Sequence, residues 1–342
     1  MEKVIAIIGP TAVGKTALSF ALAEHYGTDL ISGDAYQIYR HMDIGTAKPT
    51  ADELARYHHY LIDIAEPDEP YSAARFCDMA GKAIAEVNGK GKIPILVGGT
   101  GLYVQSLLEG YDFQTARMTE ADKEAAQARI DALSQEELKA YIETETDWQP
   151  PDWHELFSNT HRLTRLVSAI EQGEGKSFVR AGKARDVVYD AYVIGLRLPR
   201  DVLYRRIEER VDAMITAGWV DEVRHLLDKG IPTDCQAMKA IGYQELALYL
   251  QGQMPLDDAV ARIKTRTRRF AKRQLTWFRR MPYIHWYDKD QYDGEDALIQ
   301  AVLGDVPFPC REGAGGSPQA ASRKATSVGA VPKGGPQLTA LL

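Results

Sequence analysis

The sequence predicts an α/β protein, a doubly wound parallel sheet organised around a phosphate-binding loop and interrupted by a mostly helical insertion. Three observations carry this reading. A β-branched apolar run, Val4-Ile5-Ala6-Ile7-Ile8, passes through the turn Gly9-Pro10-Thr11-Ala12-Val13-Gly14-Lys15-Thr16 into an apolar helix pattern from Ala17 to Ala23. The order of strand, glycine turn and helix returns at Ile93-Pro94-Ile95-Leu96-Val97, Gly98-Gly99-Thr100-Gly101 and Leu102 to Leu108. From about Thr115 to Ser158 Ala, Glu, Gln and Lys dominate, and no strand pattern is visible.

At 342 residues and 45% hydrophobic content, the chain can bury a large core that carries a smaller unit. The expected organisation is a core over residues 1–114 and 186–310, with a helical insertion over 115–185. The tail, 311–342, is rich in Gly, Ala, Ser and Pro, has no aromatic residue, and is expected to be disordered. No apolar run approaches the ~20 residues that span a bilayer, and no signal peptide precedes the first strand. A cytoplasmic location and no membrane partner are therefore expected. Cys77, Cys235 and Cys310 lie far apart with no Cys-x-x-Cys pair, which speaks against a disulfide framework or a cysteine zinc site. The net charge of −7 argues against indiscriminate nucleic-acid binding by the whole surface, although a global sum hides local clusters.

Along the chain, the glycines of residues 9–16 let the backbone wrap so that N–H groups point inward, and the new helix adds the positive end of its dipole. Lys15 supplies a point charge for phosphate oxygens, and Thr16 a hydroxyl for a Mg2+ ion bridging two phosphates. Such a P-loop implies a polyphosphate or diphosphate without identifying the reaction. Asp29 to Asp34 reads as a second strand, and its position places Asp34 at the carboxyl end, where ligands of parallel sheets gather. Asp34 there can hold a metal or accept a proton, or it can cap the next helix; position alone leaves both open. Met42 to Pro49, with Lys48 uncompensated, suits a loop near an anion or a plain surface loop. His59 to Asp63 resembles a third strand, Tyr71 to Val87 a helix, and Thr100 sits in a second glycine-rich turn at the same crevice. Arg162 and Arg165 share a helix face, Asp186 to Leu198 returns to a strand pattern, and Leu203 to Ile215 is a charged amphipathic helix. Arg205, Arg206 and Arg210 on that helix are available to phosphate or to Glu208 and Glu209.

The most basic segment lies between Arg262 and Arg280, with nine Lys or Arg residues and no acid. At helical spacing Arg262, Arg266, Arg269 and Arg273 form one stripe and Lys264, Arg268 and Lys272 another, while Ile263, Phe270 and Trp277 can face inward. Without acids at i+4 to relieve repulsion, this helix favours nucleic acid over a merely solvated face.

These residues together resemble the bacterial and organellar tRNA dimethylallyltransferases, which prenylate the exocyclic amine of adenosine 37 beside the anticodon. The matching segments are Gly9 to Thr16, Ser32 to Tyr39, Met42 to Pro49, His59 to Asp63, Val97 to Tyr103, Ile241-Gly242-Tyr243 and Lys272 to Arg279. The resemblance implies a P-loop that cradles the diphosphate of dimethylallyl diphosphate, with Lys15 and Mg2+ around its growing charge. It implies Asp34 as the acceptor of the amine proton, and Thr100 and Arg210 as contacts of the diphosphate or its bridging oxygen. It further implies that Asp34, Ala35, Tyr36, Gln37, Thr100, Arg162, Arg165, Lys239, Gly242, Tyr243, Lys272, Arg273, Gln274, Trp277 and Arg279 hold the tRNA, with the insertion gripping the anticodon stem-loop. A monomer is expected, acting on tRNAs that read codons beginning with U. Two positions depart from the family pattern. Ser168-Ala169-Ile170-Glu171 stands where Arg-Ala-Leu-Glu is usual, and Lys239 where arginine is common. The other readings are a small-molecule P-loop kinase binding ATP, an adenylate isopentenyltransferase acting on free nucleotides, and a non-catalytic RNA-binding module.

Overall fold

The computed structural model describes residues 1–111, 118–181 and 186–309, so the expectation for the 311–342 tail lies outside the described residues. Six strands, β1 (Lys3–Ile8), β2 (Leu30–Ser32), β3 (His59–Tyr60), β4 (Ile95–Gly98), β5 (Asp190–Arg197) and β6 (Ile284–Asp288), form one sheet in the order β3-β2-β4-β1-β5-β6. Every pairing is parallel. Ile8 lies opposite both Gly98 and Gly195, and Ser32 opposite Val97, so the central strands end side by side and their following turns form one rim. The third strand is shorter than the run His59 to Asp63 predicts. Leu61 and Asp63 adopt left-handed backbone, with φ of 66° and 55°, which no strand can continue.

The helices are α1 (Lys15–Tyr26), α2 (Ala51–Arg56), α3 (Ala73–Gly89), α4 (Gly101–Leu108), α5 (Glu120–Ala132), α6 (Gln135–Thr146), α7 (Trp153–Ser158), α8 (Thr160–Glu171), α9 (Gly175–Ala181), α10 (Arg200–Thr216), α11 (Trp219–Asp228), α12 (Tyr243–Leu250), α13 (Leu256–Phe278) and α14 (Gly294–Asp305). The alternation of β1 explains the layering, since Val4, Ala6 and Ile8 pack on one face of the sheet and Ile5 and Ile7 on the other. The first face is covered from α3, α4, α11 and α12, and the second from α1 and α14, by Leu18, Leu22, Leu298 and Val302. Both faces of a parallel sheet are thus buried, which is why its strands read as continuous apolar runs.

The described residues divide into two compact units. One contains Met1–Glu109 and the residues from Val187 onward, and the other is Gly110–Asp186. The second unit is helical and has its own core of Ala126, Leu138, Ile142, Leu156, Leu163, Leu166, Val167 and Ile170. Its starts are written locally, with capping boxes from Thr119 to Asp122 and from Ser134 to Glu137, and side-chain caps from Asp152 and Asn159.

Candidate active site

The turn after β1 leads straight into α1, whose N-cap is Gly14 in left-handed backbone. Val13 is fully buried and pegs the loop into the core, while Thr11, Ala12, Gly14, Lys15 and Thr16 line a cavity of about 150 Å³ at the carboxyl rim of the sheet. The Lys15 ammonium folds back to donate to the carbonyls of Gly9 and Pro10 at 3.0 and 2.9 Å. Burial, then the charge of Arg210, pull its pKa down to about 8, against a smaller upward pull from Asp34. Arg210 reaches the same cavity from α10. Burial lowers its pKa too, and its guanidinium has no hydrogen bond or ion pair with any described residue. A half-buried cation without a partner is costly, so this corner is suited to an anion supplied from outside.

Opposite stands Asp34, at the end of β2. Its Oδ1 accepts from the amides of Tyr36 at 2.8 Å and Gln37 at 3.3 Å, which closes a tight turn. Asp34 thus caps a turn instead of the next helix, and the same residue lines the cavity. Gly98 makes the arrangement possible. A Cβ there would lie 2.5 Å from the Gly33 carbonyl, so only glycine lets the turns after β2 and β4 touch. Thr100 Oγ1 completes that junction by accepting from the Ala35 amide at 3.2 Å.

Several sequence expectations change. Lys48 is not uncompensated. Its side chain is 2% exposed and donates to Asp43 and Asp63 at 2.5 Å and to the Tyr39 carbonyl at 2.9 Å. Gly242 and Tyr243 are buried and present no exposed side chain to RNA. Gly242, at φ 97°, lies where the Trp219 ring leaves no room for a side chain, and the Tyr243 hydroxyl donates to Glu222 at 2.6 Å. Gln274 is buried as well. Its carbonyl accepts from the Thr11 amide at 3.0 Å and its amide donates to Gly99 O at 2.8 Å, clamping both glycine turns from α13. The side chain of Gln37 is likewise spent inside the protein, on Ser32, Thr46 and Ala47.

The basic helix is only half unrelieved. The acids absent from residues 262–280 arrive from other helices, Glu245 to Arg266, Asp212 to Lys264 and Glu208 to Arg268. Arg269, Lys272, Arg273, Arg279 and Arg280 are exposed and have no ion pair among the described residues, and Trp277 beside them is 36% exposed. Lys239 is exposed elsewhere in the same unit. In the helical unit, Arg162 is half-buried on α8, and Arg165 lies over the Phe178 ring at 5.6 Å.

Sequence reasoning overlooked three contributors. Lys289, held by Glu295 at 2.8 and 2.9 Å, lies against the bare Cα of Gly14. Phe270 lines the cavity, and Glu222 fastens its loop wall. Phe270 was legible as an inward residue of the basic helix, whereas no local pattern marks the other two. A second cavity of about 530 Å³ shares Arg210, Ala47 and Pro49 with the first and continues along Ala213, Met214 and Ala217 of α10.

A parallel α/β core with a P-loop anion cradle facing a carboxylate defines a P-loop protein built for chemistry on a phosphorylated substrate. The sequence model of the IPP transferase family matches residues 37–281, and the chain belongs to that family. It is 44% identical over 291 residues to the tRNA dimethylallyltransferase of Geobacillus kaustophilus, covering 84% of this chain and 90% of that one. With the tRNA dimethylallyltransferase of Symbiobacterium thermophilum the identity is 42% over 315 residues, 90% and 97% of the two chains. Among solved structures, the full-length tRNA isopentenylpyrophosphate transferase of Bacillus halodurans superposes with a TM-score of 0.66 at 39% identity, over 89% of this chain and 95% of that one. A eukaryotic dimethylallyltransferase acting on tRNA shares the fold at a TM-score of 0.72 and 24% identity, over 88% and 78% of the two chains.

Proposed function

We propose that this chain transfers a dimethylallyl group from dimethylallyl diphosphate to N6 of adenosine 37, in tRNAs that read codons beginning with U. The single observation that carries the reading is the meeting of Lys15 and the unpartnered Arg210 with the carboxylate of Asp34 across one cavity. The allylic C1–O bond breaks as the N6–C1 bond forms, the proton of N6 passes to Asp34, and diphosphate leaves. An aromatic amine is a weak nucleophile, so a carboxylate within hydrogen-bond reach raises its reactivity. The inward amides of the P-loop, Lys15 and Arg210 stabilise charge that grows on the departing diphosphate, and the low dielectric of the cavity strengthens each contact. Thr100 accepts from the Ala35 amide and so keeps its O–H free to donate to the departing oxygen, the role proposed for it.

Magnesium fits this donor set. Thr16 offers a hard oxygen at the N-terminus of α1, and an ion that keeps several waters is completed by phosphate oxygens of the substrate. When bound, Mg2+ adds charge neutralisation at the diphosphate.

The target adenine must leave the anticodon stack to be reached. In the core unit the exposed cations Lys239, Lys272, Arg273 and Arg279, with Trp277 as a stacking surface, are suited to the RNA; in the helical unit Arg162 is the residue proposed for it. Among the described residues no helix is long and apolar enough to cross a membrane, and the reading takes the cytoplasm as the place where the protein meets tRNA.

The test incubates the protein with dimethylallyl diphosphate and Mg2+ beside either unmodified tRNA or AMP, followed by mass analysis of the nucleosides. Prenyl-adenosine is expected only with tRNA, and Asp34→Ala should slow it by about 10²–10⁴. Product from AMP alone, or full activity in Asp34→Ala, would overturn the reading.

A further inference from the structure

The wall of the cavity opposite the P-loop is a loop, residues 42–49, with no secondary structure of its own beyond turns. Loops of that kind fix a site only when something else fixes them. Here one carboxylate does so. Glu222 on α11 accepts the Asp43 amide at 2.8 Å and the Ile44 amide at 2.7 Å on Oε2, and the Gly45 amide at 3.1 Å on Oε1, which also takes the Tyr243 hydroxyl at 2.6 Å. The indole of Trp219, one turn earlier on α11, fills the space where Gly45 has no side chain.

The loop in turn holds the residue that would take the proton. The carbonyls of Thr46 and Ala47 both accept from Gln37 Nε2 at 3.2 Å, and Gln37 Oε1 accepts from Ser32 at 3.0 Å. The side-chain amide thus has both donors and its acceptor engaged. The backbone amide of the same Gln37 is one of the two that hold Asp34 Oδ1. Hydrogen bonds, joined by short stretches of covalent backbone, therefore connect Glu222 through the 43–45 amides, the Thr46 and Ala47 carbonyls and Gln37 to Asp34.

We propose that Glu222 is a positioning residue for Asp34, acting through the 43–47 loop and Gln37. The inference rests on the dimethylallyl-transfer reading above. A carboxylate that has spent one oxygen on a turn can aim the other only as accurately as the turn is held, and a misplacement of about 1 Å costs on the order of 10²-fold in rate. Lys15, Arg210 and the P-loop amides lie outside this chain of bonds, so the hold on the donor diphosphate should survive its loss.

The experiment is a double-mutant cycle on prenylation of tRNA, with kcat, the KM for dimethylallyl diphosphate and Tm recorded for each variant. Glu222→Gln turns one acceptor oxygen into an NH2 that faces N–H donors. It should lower kcat on the order of tenfold with the donor KM within about twofold. Gln37→Met, of similar shape but unable to bridge, should do the same. If both act along one path, the double variant is no slower than the slower single one. Multiplying losses, an unchanged kcat in Glu222→Gln, or a fall in kcat that merely follows the unfolded fraction would each overturn the proposal. The same cycle with Tyr243→Phe, which removes only one bond to Oε1, decides the matter if Glu222→Gln does not fold. Absence of product from the wild-type protein would instead refute the underlying reading.

Discussion

The two halves of α13 carry the same kinds of residue and do different work. In the first half Arg262, Lys264, Arg266 and Arg268 face acids of other helices, and Glu245 at the centre of that set is fully buried. In the second half and the turn that follows it, Arg269, Lys272, Arg273, Arg279 and Arg280 are exposed with no ion pair among the described residues, while buried Gln274 clamps the glycine turns. A basic stripe is thus not one feature. The first half uses charge to fix where the helix lies, and the second keeps charge available for a polyanion, which the first half holds in place.

The comparison breaks most visibly if the first half loses its acid. Glu245→Ala strands Arg266 and leaves the Gly242 amide without its 2.8 Å acceptor, so denaturant unfolding should show a loss of about 3–5 kcal/mol. A loss under about 1 kcal/mol would place this pair with the ordinary surface ion pairs. The second half should respond in the opposite way. Lys272→Glu, Arg273→Glu and Arg279→Glu combined should raise the KM for tRNA on the order of 10–100-fold and flatten its salt dependence by roughly two units of log–log slope, with stability almost unmoved. An equal fall in Tm would show these cations to be structural as well.

Lys15 sharpens the contrast, being neither paired with an acid nor exposed to the RNA side. With its pKa near 8 in the substrate-free protein, it loses its charge above that pH, so donor affinity measured at pH 9 should be about tenfold weaker than at pH 7, an effect absent in Lys15→Met. The stability linkage has the same origin. The folded protein binds fewer protons than the unfolded chain between about pH 8 and the normal lysine pKa of 10.5, so this group favours folding as pH rises through that window.

The parts of the site that were legible in the sequence are those written in consecutive residues. The P-loop, the acid ending β2 and the glycine turn at 98–101 each announce themselves within about ten residues, because strand period and turn chemistry are local, and the composition of the insertion marks it as helical. Glu222 is 179 residues from Asp43, and Gln274 is 263 from Thr11, and neither has a local signature. The misreading of Lys48 has the same cause, since one of its acids lies 15 residues on, beyond helical spacing. Gly242 and Tyr243 matched a pattern that the family keeps, but a shared pattern does not distinguish a surface contact from a buried support.

The contact of Gly98 with Gly33 sets a limit on redesign. The floor between the two turns is bare backbone, with no side chain to shorten or exchange, and any added carbon pushes the turns apart. Anyone wishing to enlarge this cavity for a bulkier donor must work from its borders, at Thr46, Ala47, His59 or Phe270, leaving the floor as it is.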